Sequence, residues 1–277
     1  QECLARVSEK QKEKKNLIAP VSFAGAVAPL AQCQKLASEN NFILVEDASH
    51  SPGASSPDEQ EGTISSCSGP HALASTLSFH PVKHICAGEG GAVLTNHLHV
   101  AQKALRLRSH GINRPFTETD EMPWYYEQES LGWNYRLTDL QATLGLSQLN
   151  RLDDFLAKRR KLARRYDERL SKSPFQEHIN CPPFEEGHAW HLYIIRFKDE
   201  SLRNLAYKYL KSKNILTQVH YIPVYKHPYY QKQNQGFQLP GAEKFFQGCL
   251  SIPMYPDLKE NEQDRVLETL EQFLLKG

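Results

Sequence analysis

The sequence predicts an α/β protein, with a mostly parallel sheet in a large N-terminal domain and a smaller α/β domain behind it. Three observations predict it. Residues 17–23, 29–41 and 42–45 read as strand, helix and strand, the length of one βαβ unit. Two short apolar runs, 75–79 and 92–95, flank a turn rich in proline and glycine. Beyond Pro182, strands alternate with amphipathic helices. The domain boundary is placed near Asn150, giving a partial large domain over 1–150 and a small one over 151–277.

Composition excludes several function classes. The 277 residues are 40% hydrophobic and 23% charged, ordinary values for a globular protein. Basic and acidic residues number 33 and 32, a net charge of +1, which argues against a nucleic-acid or anionic-membrane role. No apolar run approaches the roughly 20 residues of a membrane span. Residues 1–3 carry no signal-peptide pattern, and the absence of an initiator methionine predicts a fragment or a processed chain. The six cysteines, at 3, 33, 67, 86, 181 and 249, form no CxxC pair. They read as reduced thiols in a cytoplasmic protein.

Along the chain, residues 1–15 are polar and read as an exposed helix end or a frayed terminus. Pro29 opens a helix carrying Leu30, Cys33, Leu36 and Ala37 at helical spacing, and Asn40 and Asn41 end it. The continuous apolar run 42–45 suits a buried parallel strand. At its carboxyl end, where open α/β sheets gather ligands, stand Glu46, Asp47, Ala48, Ser49 and His50. Asp47 suits a turn or helix cap as readily as a site, and His50 alone would be an ordinary loop histidine. Residues 51–69 read as loop.

Ser78, Phe79, His80, Pro81, Val82 and Lys83 then precede Gly88, Glu89, Gly90 and Gly91. A lone lysine on a hairpin is normally solvated. One held on such a turn can serve as a nucleophile when burial or a neighbour lowers its pKa. A helix follows over 97–108, with Val100, Ala101, Ala104 and Leu105 inward, and residues 110–113 end it. Thr138 and Asp139 cap a long helix. Leu149, Leu152, Leu156, Ala163, Tyr166 and Leu170 form its apolar face, with Lys158, Arg159, Arg160, Arg164 and Arg165 on the solvated side. Ser173 and Pro174 close it. In the C-terminal part, 190–197 and 217–221 read as strands, 202–213 as a helix, and 266–274 as part of a closing helix. Residues 218–230 are dense in histidine and tyrosine, fit to stack on a base or sugar. The spacing of His220 and His227, with no carboxylate cluster, argues against a metal site.

Five segments occur together in one order: 46–50, 78–91, 132–137 (Gly132, Trp133, Asn134, Tyr135, Arg136, Leu137), 218–230 and 251–258. In these the chain resembles the DegT/DnrJ/StrS-type sugar aminotransferases over nearly its whole length. The resemblance implies a fold-type-I aminotransferase and a homodimer with shared sites. It implies pyridoxal 5'-phosphate as cofactor, with Lys83 as the Schiff-base lysine and proton carrier. Asp47 would lie against the pyridine nitrogen, His50 beside the 3-hydroxyl or ring, and Ser78 at the phosphate. Asn134 would reach the phosphate in the partner's site, with Arg136 organising its loop, and His220 and Tyr221 would lie on the substrate side. The implied substrates are an amino-acid donor, glutamate, and a nucleotide-linked 4-keto-6-deoxy sugar, in amino-sugar biosynthesis of the pseudaminic acid type. The family's sugar dehydratases carry histidine where this chain has Lys83, which favours transamination. Residues 70–76 and the pair Cys86–Ala87 depart from the family pattern. The family's small-residue and threonine turn for the phosphate does not occur in these residues, so the large domain is expected to be incomplete. The alternative expectation is a truncated, inactive member acting only as an interaction partner or a non-functional fragment. The 277 residues expressed alone are expected to be inactive and poorly soluble, and an upstream segment to restore cofactor binding and activity.

Overall fold

The computed structural model describes residues 16–58, 62–67, 71–115, 120–232 and 236–275. The reading of residues 1–15 as a helix end or frayed terminus falls outside them. The chain divides into two compact units, residues 1–153 and 154–277.

In the first unit, β1 (Asn16–Ile18) and β2 (Phe42–Asp47) are parallel and joined through α1 (Leu30–Glu39). Pro29 stands immediately before α1, where its missing N–H costs no helical bond. Asn41, at φ 54, turns the chain back toward β2. On the other side of β2 lies β5 (Ala74–Ser78), also parallel, and β6 (Gly91–Leu94) closes the sheet antiparallel. The order β1-β2-β5-β6 is therefore mainly parallel. The expected strand over 17–23 ends early. Pro20 offers no N–H, Val21 keeps one bridge to Asp47, and residues 23–25 form a short 3-10 turn with Ala24 at φ 58.

The expected loop over 51–69 holds a hairpin, β3 (Ser55–Asp58) paired with β4 (Gly62–Ser65). Its composition of serine, proline and glycine disguised it, because edge strands tolerate proline. Next come α2 (Leu98–Arg108), the short pair β7 (Ile112–Asn113) and β8 (Glu127–Gln128), and α3 (Asp139–Leu149). Thr138 caps α3 in a reciprocal capping box with Gln141. The long helix expected from there is two helices. Asn150 and Arg151 interrupt it before α4 (Leu152–Leu170), so Leu149 stays half exposed rather than joining the buried face.

In the second unit, α4 buries Phe155, Leu156, Leu162, Ala163, Tyr166 and Leu170. It also buries Arg159, which the sequence reading had put on the solvated face. Its guanidinium donates to the carbonyls of Trp190, His191 and Met254 at 2.9, 3.2 and 3.1 Å, so the buried charge is solvated by backbone. After α5 (Phe175–His178) come β9 (Ile179–Asn180), β10 (Tyr193–Phe197), α6 (Glu200–Ser212), α7 (Pro228–Gln231), α8 (Pro240–Gly248), β11 (Cys249–Ile252) and α9 (Glu260–Leu274). β10 pairs antiparallel with both β9 and β11. The expected strand over 217–221 is reduced to one bridge, Gln218 to Ser251. Tyr166, Trp190, Tyr193, Leu250, Leu267 and Leu270 form the centre of this unit's core.

Candidate active site

Strand register assembles the site. Asp47 lies opposite Thr76 and Glu46 opposite Ser75 in the parallel β2–β5 pair. Side chains alternate across a strand, so Asp47, Thr76 and Ser78 share one face of the sheet and Glu46 and Ser75 share the other. Asp47 ends β2, with its backbone bonded on both sides. Its N–H donates to Pro20 O at 2.9 Å, and Ser22 N–H donates to its carbonyl at 2.9 Å. The Asp47 carboxylate accepts from Ser49 N–H at 3.0 Å, which fixes the turn leading to His50. His50 is buried, with its ring 5.8 Å from that of Phe23, and its Nδ1 accepts from Ala24 N–H at 3.4 Å.

Lys83 reaches the same place from the β5–β6 connection. The chain leaves β5 at Ser78, whose hydroxyl accepts from His80 N–H at 3.4 Å. A turn then bonds Lys83 N–H to His80 O at 2.9 Å, and Ala87 N–H returns to Phe79 O at 3.0 Å. Gly91 opens β6 where a Cβ would lie 2.5 Å from Leu77 O, so only glycine lets β6 pair this closely. Lys83 is partly buried, and that desolvation lowers its pKa from the ordinary lysine value. The Asp47 carboxylate acts on it in the opposite sense. The structure thus brings Lys83 and Asp47 within electrostatic reach of each other.

Asn134 is exposed. It bridges to Ser109 at the end of α2, and its Oδ1 accepts from Arg136 at 3.2 Å. Behind it, Gln141 of α3 donates to Glu89 O at 3.3 Å, linking this helix to the glycine turn. His220 and Tyr221 belong to the second unit, where His220 Nδ1 lies 2.7 Å from Ser251 Oγ. Sequence reasoning passed over Glu46. It is 1% exposed and accepts four hydrogen bonds. A carboxylate at an inward-facing position of a strand was the available signal. Among the described residues no three His, Cys, Asp or Glu side chains group to hold a metal ion. No helix there is long and apolar enough to cross a membrane.

The profile of the DegT/DnrJ/EryC1/StrS aminotransferase family matches residues 2–271. The chain belongs to that family. Its aminotransferases are pyridoxal-phosphate enzymes of fold type I, and the mainly parallel sheet described above is part of that architecture. The chain is 33% identical over 269 residues to the UDP-4-amino-4,6-dideoxy-N-acetyl-beta-L-altrosamine transaminase of Campylobacter jejuni, covering 96% of this chain and 68% of that one. It matches the structure of Helicobacter pylori PseC, an aminotransferase of pseudoaminic acid biosynthesis, with a TM-score of 0.86 and 28% identity. That match covers 99% of this chain and 70% of the other. It also matches Bacillus subtilis NtdA with bound cofactor PMP, at a TM-score of 0.77 and 28% identity, over 94% of this chain and 57% of that one. The chain thus spans about two thirds of the length of the transaminase it matches.

Proposed function

We propose that this chain transfers an amino group from an amino acid, glutamate, to a nucleotide-linked 4-keto-6-deoxy sugar, with pyridoxal 5'-phosphate bound in its N-terminal unit. The product serves amino-sugar biosynthesis of the pseudaminic acid type, in the cytoplasm, where the thiols of Cys33, Cys67, Cys86, Cys181 and Cys249 stay free. One observation carries the reading: a partly desolvated lysine, Lys83, lies within electrostatic reach of Asp47, which ends a parallel strand.

The side chains present fit the cofactor. Its carbonyl, ring nitrogen and phosphate need an amine, a carboxylate and a hydroxyl. Lys83, Asp47 and Ser78 offer these, with the buried His50 as a ring or hydroxyl neighbour. The bound cofactor supplies an electron sink for the charge left when the donor carbon loses its proton. Lys83 contributes through burial. Its Nζ spends more time as the neutral amine than an exposed lysine does, so it would be the group that holds the cofactor at its carbonyl carbon, the carbonyl oxygen leaving as water. When free, the same Nζ would carry the proton lost by the donor carbon and give it back. Asp47 would hold the proton on the ring nitrogen. His220 and Tyr221, of the second unit, are the side chains proposed for the sugar.

Two copies share sites in this reading, with Asn134 serving the partner's phosphate. The exposed apolar side chains beside it, Leu131 at 88%, Trp133 at 60% and Leu140 at 85%, suit a surface that another copy covers. Borohydride reduction of the cofactor-loaded protein, followed by peptide mass spectrometry, tests the assignment. The added mass is expected on the peptide containing Lys83 and is expected to vanish in Lys83→Arg, whose guanidinium stays protonated. Cofactor mass on a different lysine would refute it.

A further inference from the structure

Glu46 stands next to Asp47 but points to the opposite face of β2. Its Oε1 accepts from the hydroxyls of Ser22 and Ser66, both at 2.7 Å. Its Oε2 accepts from the Ser75 hydroxyl at 2.8 Å and from Cys67 N–H at 3.0 Å. The donors come from three separate pieces of chain: the turn after β1, the end of the β3–β4 hairpin, and β5. A second layer extends the network. Ser22 Oγ accepts from Ala28 N–H at 3.1 Å. Ser66 spends its proton on Glu46, so Ser51 supplies the proton of the 2.7 Å Ser51–Ser66 bond. Ser22, Ser51, Ser66 and Ser75 are all buried, at 6% exposure or less.

All four first-layer partners donate, so the site is built for a group that only accepts. Two of these pieces, the turn after β1 and β5, also carry the scaffold of Asp47. Ser22 N–H holds the Asp47 carbonyl at 2.9 Å, and Thr76 O, one residue past Ser75, accepts from Ala48 N–H at 3.0 Å. We infer that Glu46 is a positioning residue: it ties β1, β2, β5 and the hairpin into one unit, and so fixes the Asp47 carboxylate against the cofactor's ring nitrogen. This rests on the proposed role of Asp47.

The test is a double-mutant cycle in the full chain, read as the dissociation constant for pyridoxal phosphate by fluorescence titration, not as activity. Glu46→Gln places an NH2 group among four donors and breaks at least one bond, and is expected to weaken binding about tenfold or more. If Glu46 acts through Asp47, the change adds little on top of Asp47→Asn. Leu44→Ala is the structural control. Leu44 is buried on the same strand and face, two residues earlier, and its loss is expected to lower the thermal midpoint while leaving cofactor affinity near wild type. Ser75→Ala removes one donor and serves in the same cycle if Glu46→Gln does not fold. Additive losses, or equal losses of affinity in Glu46→Gln and Leu44→Ala, would reduce Glu46 to a structural role and overturn the inference. Unchanged affinity in Asp47→Asn would instead overturn the cofactor reading, and the positioning role with it.

Discussion

Lys83 sits between two opposing influences, and their signs give a prediction. Partial burial lowers its pKa, and the Asp47 carboxylate raises it again. In the cofactor-free protein, the rate at which an amine-selective reagent acylates Lys83 is expected to rise with pH and reach half its maximum below the ordinary lysine range. Asp47→Asn removes the group that stabilises the ammonium form, so the profile is expected to move further down in pH. An unchanged profile would mean that the two side chains do not face each other. Peptide mass spectrometry of the acylated lysine measures both profiles.

At the scale of elements, the β5–β6 connection depends on two glycines for different reasons. A Cβ at Gly91 would meet the Leu77 carbonyl at 2.5 Å, whereas Gly88 has open space but sits at φ +81. Gly91→Ala therefore has to push β6 away from β5 beside Ser78, at a cost of about 1–3 kcal/mol. Gly88→Ala meets only backbone strain, about 1 kcal/mol. Urea unfolding is expected to show the larger loss for Gly91→Ala, together with weaker cofactor binding because Ser78 pairs with Gly91 and Lys83 lies in the connection between them. Equal unfolding losses would show that the strand pairing is looser than described.

At the scale of the whole molecule, stability is expected to depend on pH through the second unit. His188 is buried, and its Nδ1 accepts from Trp190 N–H at 2.8 Å, a bond that needs the neutral ring. Burial, with a smaller effect of Arg160, lowers its pKa from 6.5 to about 4. The unfolded chain binds the proton first as pH falls, so the stabilisation is complete above pH 6.5 and is lost between there and about pH 4. The loss is about 3 kcal/mol at most. Urea midpoints between pH 7 and 4.5 are expected to fall less steeply for His188→Gln than for the wild type, and parallel curves would refute this. Much of the molecule was legible beforehand. The apolar run 42–45 and the glycine turn after Lys83 gave β2 and the β5–β6 connection, because a buried parallel strand and a tight turn leave direct marks in composition. The motifs around Asp47, Lys83 and Asn134 pointed to the family by their resemblance to it, and the family profile matches residues 2–271. What the sequence could not decide were relations between distant residues. Arg159 reads as one more solvated charge until Trp190, His191 and Met254 present their carbonyls to it. Glu46 reads as Asp47's neighbour until four donors from three other pieces of chain close on it. Local pattern determines which elements form and which face they bury. Only the tertiary structure decides who solvates a buried charge, because its partners are distant in sequence and leave no period to read.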